Sequence, residues 1–483
     1  PQSLFFDRSL NFQETWLPEE QTIDGYANHA SAQVVSPLLI ARYNENAISI
    51  AHEVALRADD ILSCDLAEEP LECGSSYLLD LAYRAWRRPL TDAERDALSA
   101  SYAADLEQYE AYLALQFGIQ AILQSPHFLY MLELSSGPAE AVSSDGCNYT
   151  DTPLNSYEMA TRLAFLLWNT IPDGDLLAAA AAGELTSAES VRSWADRMMD
   201  DERYLTGALA FYEDWLEIGS GLDNYERVAI GLDVVINEGQ HPLFRIQTML
   251  FLANIVGRED GTLDEILTSR RYPMHEAIAD LYNLPDGANL PTGDEDGDEE
   301  YDELAYDAEL WVDYDVANDE RAGFLTLAGH LAKLATTTRA SPVRRGVFVM
   351  ERLLCLDPPP PPPDINTDIE SASLGDGPIT NRQRYIVHSE AAACRGCHDS
   401  IDGFGFAFEN YNAAGMFWTE ESWIEPGSFN WEEEPTDLEW LPVDASGTLG
   451  GAFVPEELNG LSYDNAVEMI EGMASSRAVY HCY

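Results

Sequence analysis

The residues from Cys394 to His398 read Cys-Arg-Gly-Cys-His and suggest the most specific chemistry in the chain. Two thiols one helical turn apart, at Cys394 and Cys397, can each form a thioether with a vinyl group of a porphyrin. The histidine that follows can then present its imidazole to the iron. With 7 cysteines and 9 histidines in 483 residues, chance would produce this order with a probability on the order of two in a thousand. The motif therefore predicts covalently attached haem c (iron), with His398 as the proximal iron ligand.

Two other chemistries use the same residue types. A zinc site needs two further ligands, which His481 and Cys482 could supply, although the sequence has no second spaced pair. A thioredoxin-like dithiol needs a strand before its helix, and it leaves His398 without a role. Haem attachment is the interpretation that uses all three residues of the motif.

The sequence leaves open the sixth iron ligand and the partners of the haem propionates. His388 lies ten residues before His398, and it is the first candidate for the distal ligand. Met469 and Met473 lie within the range over which small cytochromes return a methionine to the iron, but they are weaker candidates because a helical methionine is usually a core residue. Four arginines are candidates for pairing with the propionates, namely Arg344, Arg345, Arg382 and Arg384.

The other cysteines indicate the compartment. Cys64 and Cys73 lie nine residues apart in a polar stretch, a spacing that suits a small disulfide loop. Cys147, Cys355 and Cys482 remain as an odd number, so that one is free or has its partner outside these residues. A disulfide and a c-type haem are both typical of an oxidising location. We therefore expect a periplasmic or extracellular protein.

The charge of the chain is extreme. It has 85 Asp and Glu against 26 Lys and Arg, with Lys333 as its single lysine, and its formal net charge is -59. Such a charge excludes nucleic acid bound through bulk electrostatics and disfavours an anionic membrane surface, because phosphates are repelled. No apolar run reaches the roughly 18 residues that span a bilayer, so no transmembrane segment is expected. A surface of this kind is typical of proteins that stay soluble in salty surroundings, where screening weakens self-repulsion.

Apolar residues recur mainly at helical spacing, which predicts a mainly α fold. We expect several packed helical domains, a C-terminal c-type haem lobe and minor β structure. Thr91 and Glu94 have the spacing of a capping box that starts a helix. The pattern predicts one long helix from Leu106 to Leu123 and another from Glu320 to Thr336. Six prolines, Pro358 to Pro363, predict a stiff polyproline II spacer.

Changes of composition along the chain predict seven segments. The fourth is crowded with Gly, Pro, Asp and Glu, as expected of a solvated acidic loop. The expected segments are a partial N-terminal helical domain (1–60), a helical domain with the disulfide (61–140), a central helical domain (141–290), the acidic insertion or linker (291–319), a helical segment (320–357), the polyproline spacer (358–366) and the haem lobe (367–483), which we expect to be incomplete at its C-terminal end.

A series of short stretches, spread over nearly the whole chain, carries a resemblance to a known family. They include Ala82-Tyr-Arg-Ala-Trp-Arg-Arg-Pro, Leu123-Gln-Ser-Pro-His-Phe, Tyr157-Glu-Met-Ala-Thr-Arg-Leu-Ala and Ser341-Pro-Val-Arg-Arg-Gly, followed by the motif and Asp402-Gly-Phe-Gly-Phe. In this order they resemble the planctomycete-type cytochrome c family. Its members are large exported proteins of serial domains of unknown function, also common in myxobacteria. One departure is Gly403, which stands where the family usually has proline.

The resemblance implies an exported haem protein and leaves its reaction open. We expect a mono-haem c-type cytochrome that transfers electrons one at a time to a redox partner protein or to other subunits of an extracytoplasmic assembly. One alternative is a haem-dependent oxidative or peroxidase-like enzyme with an open distal site. Another is a structural or binding subunit in which haem serves as a staple. A single haem in 483 residues keeps these alternatives open, because a bare electron carrier can be much smaller.

Overall fold

The computed structural model describes most of the chain. The described residues are 4, 17–18, 35–133, 140–144, 147–151, 153–218, 227–229, 234–236, 240–285, 288–291, 307–316, 319–359, 377–389, 392–423 and 438–482. The chain divides into two compact units, Pro1–Phe211 and Tyr212–Tyr483. Both are mainly helical with short antiparallel strand pairs, which confirms the predicted fold class. Most of the predicted acidic insertion and of the polyproline spacer lies outside the described residues.

The part of the first unit that the structure describes consists of helices and one strand pair, β1 (Glu140–Ser144) and β2 (Cys147–Asp151). Its helices are α1 (Pro37–Leu56), α2 (Ala58–Ile61), α3 (Pro70–Ala85), α4 (Asp92–Leu106), α5 (Ala111–Leu123), α6 (Pro126–Leu129), α7 (Ser156–Trp168), α8 (Gly174–Ala181), α9 (Ala188–Met199) and the greater part of α10 (Glu202–Trp215).

Short sequence signals determine where several of these helices begin. The predicted capping box of α4 is confirmed, since the Glu94 N–H donates to Thr91 Oγ1 at 3.3 Å and the Thr91 N–H donates to Glu94 Oε2 at 2.8 Å. Asn155 and Glu158 form a second capping box at the start of α7. Each box satisfies backbone N–H groups that the first turn leaves without acceptors.

The single helix predicted from Leu106 to Leu123 is wrong, because the chain breaks there. Leu106 is the last residue of α4, and Glu110 adopts extended backbone before α5 begins at Ala111. The two helices then pack against each other and against α3. The apolar spacing continues through the break because both helices bury residues in the same core, which contains Leu78, Leu81, Tyr102, Leu115, Ile119 and Ile122.

Within its described residues, the second unit combines helices with four strand pairs. Its α-helices are α11 (His241–Val256), α12 (Leu263–Thr268), α13 (Ala328–Lys333), α14 (Pro342–Phe348), α15 (Asn381–Ser389), α16 (Ala392–Gly405), α17 (Ala466–Ala474) and α18 (Arg477–Cys482). The antiparallel pairs are β3 (Arg227–Ala229) with β4 (Val234–Ile236), β5 (Arg271–Met274) with β6 (Val312–Asp315), β7 (Glu420–Trp423) with β8 (Glu439–Pro442), and β9 (Gly447–Thr448) with β10 (Ser462–Tyr463).

The helix predicted from Glu320 to Thr336 is much shorter than expected. A 3-10 turn, Phe324–Thr326, precedes α13, which covers only Ala328–Lys333. Gly323 has a positive φ of 60°, and the Thr326 hydroxyl bonds to the backbone of Ala322. A left-handed residue and a side chain that competes for backbone groups both oppose a helix.

Helices α14 and α16 touch backbone to backbone. A Cβ atom added at Gly346 of α14 would lie 2.3 Å from the Ile401 carbonyl oxygen, and one added at Gly405 would lie 2.1 Å from the Pro342 carbonyl oxygen. Glycine at both positions lets the two helices approach this closely. The helix that carries the Cys-Arg-Gly-Cys-His motif is thereby held at its C-terminal half.

Candidate functional site

Helix α16 positions the three residues of the motif. Cys394 and Cys397 lie one turn apart on it, and both are partly exposed free thiols. Residues three apart lie on the same face of a helix. Two thiols on one face, with an imidazole directly after the second, are a donor set that fits a covalently attached haem c.

The orientation of His398 is set by a carboxylate on the next turn of α16. His398 Nδ1 lies 2.9 Å from Asp402 Oδ1, and the two side chains are only 14% and 11% exposed. A histidine that binds iron through one ring nitrogen is usually held by a hydrogen bond at the other. Sequence reasoning missed this pair, although the i,i+4 spacing of His398 and Asp402 on one helix was a signal for it.

The arginines expected near the propionates have other partners. Arg345 is 2% exposed and donates to the carbonyl oxygens of Phe408, Tyr411, Asn412 and Leu331 at 2.8 to 3.2 Å. It thus ties the chain that follows α16 to α13 and α14. A guanidinium with five donors in a plane is suited to gathering several carbonyl groups.

The other three arginines, Arg344, Arg382 and Arg384, each have different neighbours. Arg344 donates to the Ala335 carbonyl oxygen at 3.0 Å. Arg382 donates to the carbonyl oxygens of Asp444 and Ser446, and its guanidinium lies 4.8 Å from the centre of the Phe406 ring. Arg384 is 5% exposed and lines a small cavity.

The candidate distal ligands lie on two different helices. His388 belongs to α15, which packs against α16, and its side chain lies outside the described residues. Met469 and Met473 are fully buried in α17. That helix packs against α12 and against the 3-10 turn Phe406–Phe408, which directly follows α16. All three therefore stay candidates.

A buried pair of carboxylates, which sequence reasoning did not bring together, lies next to the motif segment. Asn381 donates through Nδ2 to both oxygens of Glu409 at 3.1 Å and through its backbone N–H to Glu421 at 2.9 and 3.1 Å. Burial, and after it the charge of Glu421, raise the pKa of Glu409 to about 8. Burial likewise raises the pKa of Glu421 to about 7. Two such groups cannot both ionise easily near neutral pH.

The carboxylate pair borders a cavity of about 40 Å³. Asn381, Asn412 and Trp423 are among the residues that line it, and Asn381 Oδ1, Asn412 Nδ2 and Trp423 Nε1 have no hydrogen-bond partner among the described residues. A polar cavity of this size has room for ordered water that bonds to such groups. The pair therefore sits in a polar pocket within the second unit.

The cysteines outside the motif whose side chains the structure describes form two disulfides. Cys64 is joined to Cys73, as predicted, with a Cα–Cα distance of 5.7 Å. Cys355 is joined to Cys482 at 5.3 Å, a pairing that the sequence left open. The side chain of Cys147 lies outside the described residues. Because Cys482 is bonded to Cys355, it is not available as the zinc ligand that the alternative interpretation needs.

Within the described part of the chain, no group of three or more His, Cys, Asp and Glu side chains is placed to hold a metal ion. Among the described helices, none combines the length and the apolar character that a membrane span requires.

Comparison with known families assigns three segments of the chain. Residues 73–133 match PSD5, protein of unknown function (DUF1595); residues 154–284 match PSD4, protein of unknown function (DUF1592); and residues 321–421 match PSCyt3, protein of unknown function (DUF1588). No curated protein and no solved structure matches the chain.

These segments define a class of helical proteins assembled from serial domains of unknown function. The motif lies inside the last of them, at residues 394–398. The chain belongs to the planctomycete-type cytochrome c family, whose domain set these three segments form. This confirms the resemblance seen in the sequence.

Proposed function

We propose that the protein is an exported mono-haem c-type cytochrome that transfers electrons one at a time within a larger extracytoplasmic assembly. One observation carries the proposal. Four described cysteines are joined in disulfides, whereas Cys394 and Cys397 stay as thiols on one face of the helix that also holds His398. Thioether formation needs two such unpaired thiols.

Each residue of the motif has a distinct role in this proposal. The haem supplies an iron that cycles between two oxidation states. Cys394 and Cys397 tether it to α16, His398 binds the iron, and Asp402 holds the imidazole in place through Nδ1. Arg345 keeps the chain after α16 in position through its carbonyl contacts, and Arg344, Arg382 and Arg384 stay as candidates for the propionates.

The proposed compartment rests on the disulfides. Bonds such as Cys64–Cys73 and Cys355–Cys482 persist in oxidising surroundings and are rare in reducing ones. Haem c is also attached to proteins on the outer side of the cytoplasmic membrane. We therefore place the protein in the periplasm or outside the cell, with a redox partner protein or other subunits as its partners.

The attachment can be tested on the protein purified from an exporting host that attaches haem c. Acid–acetone extraction should leave the haem on the denatured chain of the wild type. The double variant Cys394→Ala/Cys397→Ala should release it, while the matched control Cys355→Ala/Cys482→Ala should retain it. Extraction of the colour from the wild type, or zinc without iron in metal analysis, would overturn the proposal.

The absorption spectrum separates a carrier from an enzyme. If His388, Met469 or Met473 binds the iron, the ferric haem should be low-spin and unchanged by cyanide. His388, Met469 and Met473 are therefore replaced one at a time. Only the variant that lacks the iron ligand should have a high-spin haem that binds cyanide. A wild-type haem that is already high-spin and binds cyanide quickly would instead favour the oxidative or peroxidase-like enzyme.

A further inference from the structure

Asn381, the first residue of α15, binds three other segments of the second unit. Its side-chain Nδ2 donates to the Ala340 carbonyl oxygen at 3.2 Å and to both oxygens of Glu409 at 3.1 Å. Its backbone N–H donates to both oxygens of Glu421 at 2.9 and 3.1 Å. Ala340 lies just before α14, Glu409 directly follows the turn Phe406–Phe408, and Glu421 belongs to β7. The start of α15 is therefore held by two carboxyl groups from distant parts of the chain.

These two carboxyl groups are placed where a negative charge is poorly stabilised. Glu409 is 4% exposed and Glu421 is 8% exposed. Among the described residues, each carboxyl group accepts a single N–H group, in both cases from Asn381. A buried carboxylate that stays ionised usually accepts two or three N–H groups or pairs directly with a cation. The geometry therefore favours a protonated carboxyl group at this position.

The surrounding charges do not reverse this preference. The charged and titratable groups that face the pair are Arg345, Arg382 and Tyr385 at Glu409, and Arg339 and Arg384 at Glu421. The arginines lower the two pKa values, but burial outweighs them and raises the pKa to about 8 for Glu409 and to about 7 for Glu421. Arg345 and Arg382 also donate to backbone carbonyl oxygens.

We propose that Asn381, Glu409 and Glu421 form a pH-sensitive latch, which holds the start of α15 while the carboxyl groups are protonated and releases it as pH rises. Release exposes both carboxyl groups to water, where they lose their protons above about pH 4.5. The closed latch keeps those protons, so its advantage is complete below about pH 4.5 and is lost as pH rises to about 8. The adjoining cavity of about 40 Å³ has room for the water that takes up the proton.

The latch acts on the helix that lies beside the Cys-Arg-Gly-Cys-His motif. Helix α15 packs against the motif helix α16 and also carries Arg382, Arg384 and His388. Release of its first turn therefore changes the surroundings of α16 in the pH range near neutrality. An effect on a haem rests on the proposed function, whereas the latch itself needs no haem.

Hydrogen exchange measured by mass spectrometry on the full chain, from pH 5 to pH 9, tests the latch. Protection factors are corrected for the intrinsic effect of pH on exchange. Protection of α15 should fall by roughly tenfold per pH unit between about pH 5 and 7 for each proton that opening releases, and should level off above about pH 8. Helix α11 should be better protected than α15 at every pH, because α15 opens without global unfolding.

Single variants assign the titrating groups. Glu409→Gln and Glu421→Gln should each make the fall of α15 protection with pH less steep, because glutamine does not titrate. The control Glu420→Gln, at an exposed neighbouring position, should keep the wild-type dependence. The proposal is overturned if α15 protection does not change with pH, if all three variants share one dependence, or if α15 is as well protected as α11 throughout.

A second measurement covers the case in which the variants at Glu409 and Glu421 fail to fold. Infrared spectroscopy of the wild type should show the C=O band of a protonated carboxyl group at pH 6, where exposed carboxyl groups are ionised. This band should disappear between about pH 7 and 9, over the range of the two raised pKa values. A wild type without the band at pH 6 would refute the latch and leave the haem proposal intact.

Discussion

The hydrogen bond between His398 and Asp402 is the residue-scale feature that most directly controls the proposed haem. A carboxylate at the ring nitrogen opposite the iron makes the imidazole a stronger donor and stabilises the oxidised state. We predict that Asp402→Asn raises the midpoint potential measured by spectroelectrochemistry. Asp399→Asn, an exposed position on the same helix, is the matched control. Equal potentials in the two variants would show that Asp402 does not act on the iron.

The Glu409–Glu421 pair predicts how stability depends on pH. The pKa of Glu409 is raised to about 8 by burial and by Glu421, so the native state holds a proton that the unfolded chain releases above about 4.5. The stability that this proton contributes is fully present below about pH 4.5 and is lost as pH rises to about 8. Asn381, Arg345 and Arg382 act in the opposite direction on this pKa.

We predict that Glu409→Gln flattens the pH dependence of unfolding between pH 5 and 8. Relative to the wild type, the variant should gain stability toward pH 8, by an amount on the order of a few kcal/mol or less. Denaturant unfolding across this range measures the difference. The exposed neighbour Glu420 gives the control, since Glu420→Gln should keep the wild-type slope. If the free energy of unfolding changes with pH equally in the wild type and in Glu409→Gln, the raised pKa of Glu409 is contradicted.

At the scale of elements, the contact between α14 and α16 holds the motif helix. We predict that Gly346→Ala destabilises the protein by about 1–3 kcal/mol, because the new methyl group meets the Ile401 carbonyl oxygen at 2.3 Å and the helices must separate. Gly174→Ala is the control, since a Cβ there meets nothing within 4 Å. Chemical denaturation measures both, and a Gly346→Ala variant as stable as Gly174→Ala would disprove the close contact.

The Cys355–Cys482 disulfide shows how a second element is anchored. It joins α18 to the residues after the π-helical turn Val349–Leu353 that continues α14, across 127 positions of sequence. Trp215 Nε1 donates to the Arg352 carbonyl oxygen at 2.8 Å in the same region. Helix α18 is therefore connected by a disulfide to the segment that follows α14, the helix that packs against the motif helix α16.

At the scale of the whole molecule, some of the few cations of this acidic chain are buried and bind backbone groups. Three buried arginines, Arg87, Arg321 and Arg345, donate to backbone carbonyl oxygens. The single lysine, Lys333, lies with Arg352 against Glu217. These cations lie at internal junctions, whereas others, such as Arg95, Arg162 and Arg271, form ion pairs at the surface. With 85 carboxylates against 26 Lys and Arg, most carboxylates are left to repel one another.

We predict that the melting temperature rises when sodium chloride is added to dilute buffer. Salt screens the repulsion among surface carboxylates, whereas internal contacts such as those of Arg345 are screened much less. Thermal unfolding by circular dichroism at increasing salt, with sucrose as a non-ionic control, measures the effect. A melting temperature that stays flat or falls would contradict the salt-adapted interpretation and leave the haem proposal untouched.

The sequence by itself determined the features that depend on covalent chemistry and on neighbours within one or two turns. The Cys394–His398 motif, the Thr91–Glu94 capping box, the Cys64–Cys73 disulfide, the mainly α class and the family could all be read from residue types and spacing. The His398–Asp402 pair belongs to the same group, because residues four apart on a helix are always neighbours.

Only the tertiary structure decided the contacts between distant parts of the chain. It paired Cys355 with Cys482, turned Arg345 toward carbonyl groups, and brought Glu409 and Glu421 together on Asn381. It also split the apolar stretch around Leu106 into two helices. Spacing along one helix specifies which residues share a face, but not which distant face it will meet, because that depends on how all the buried surfaces pack at once.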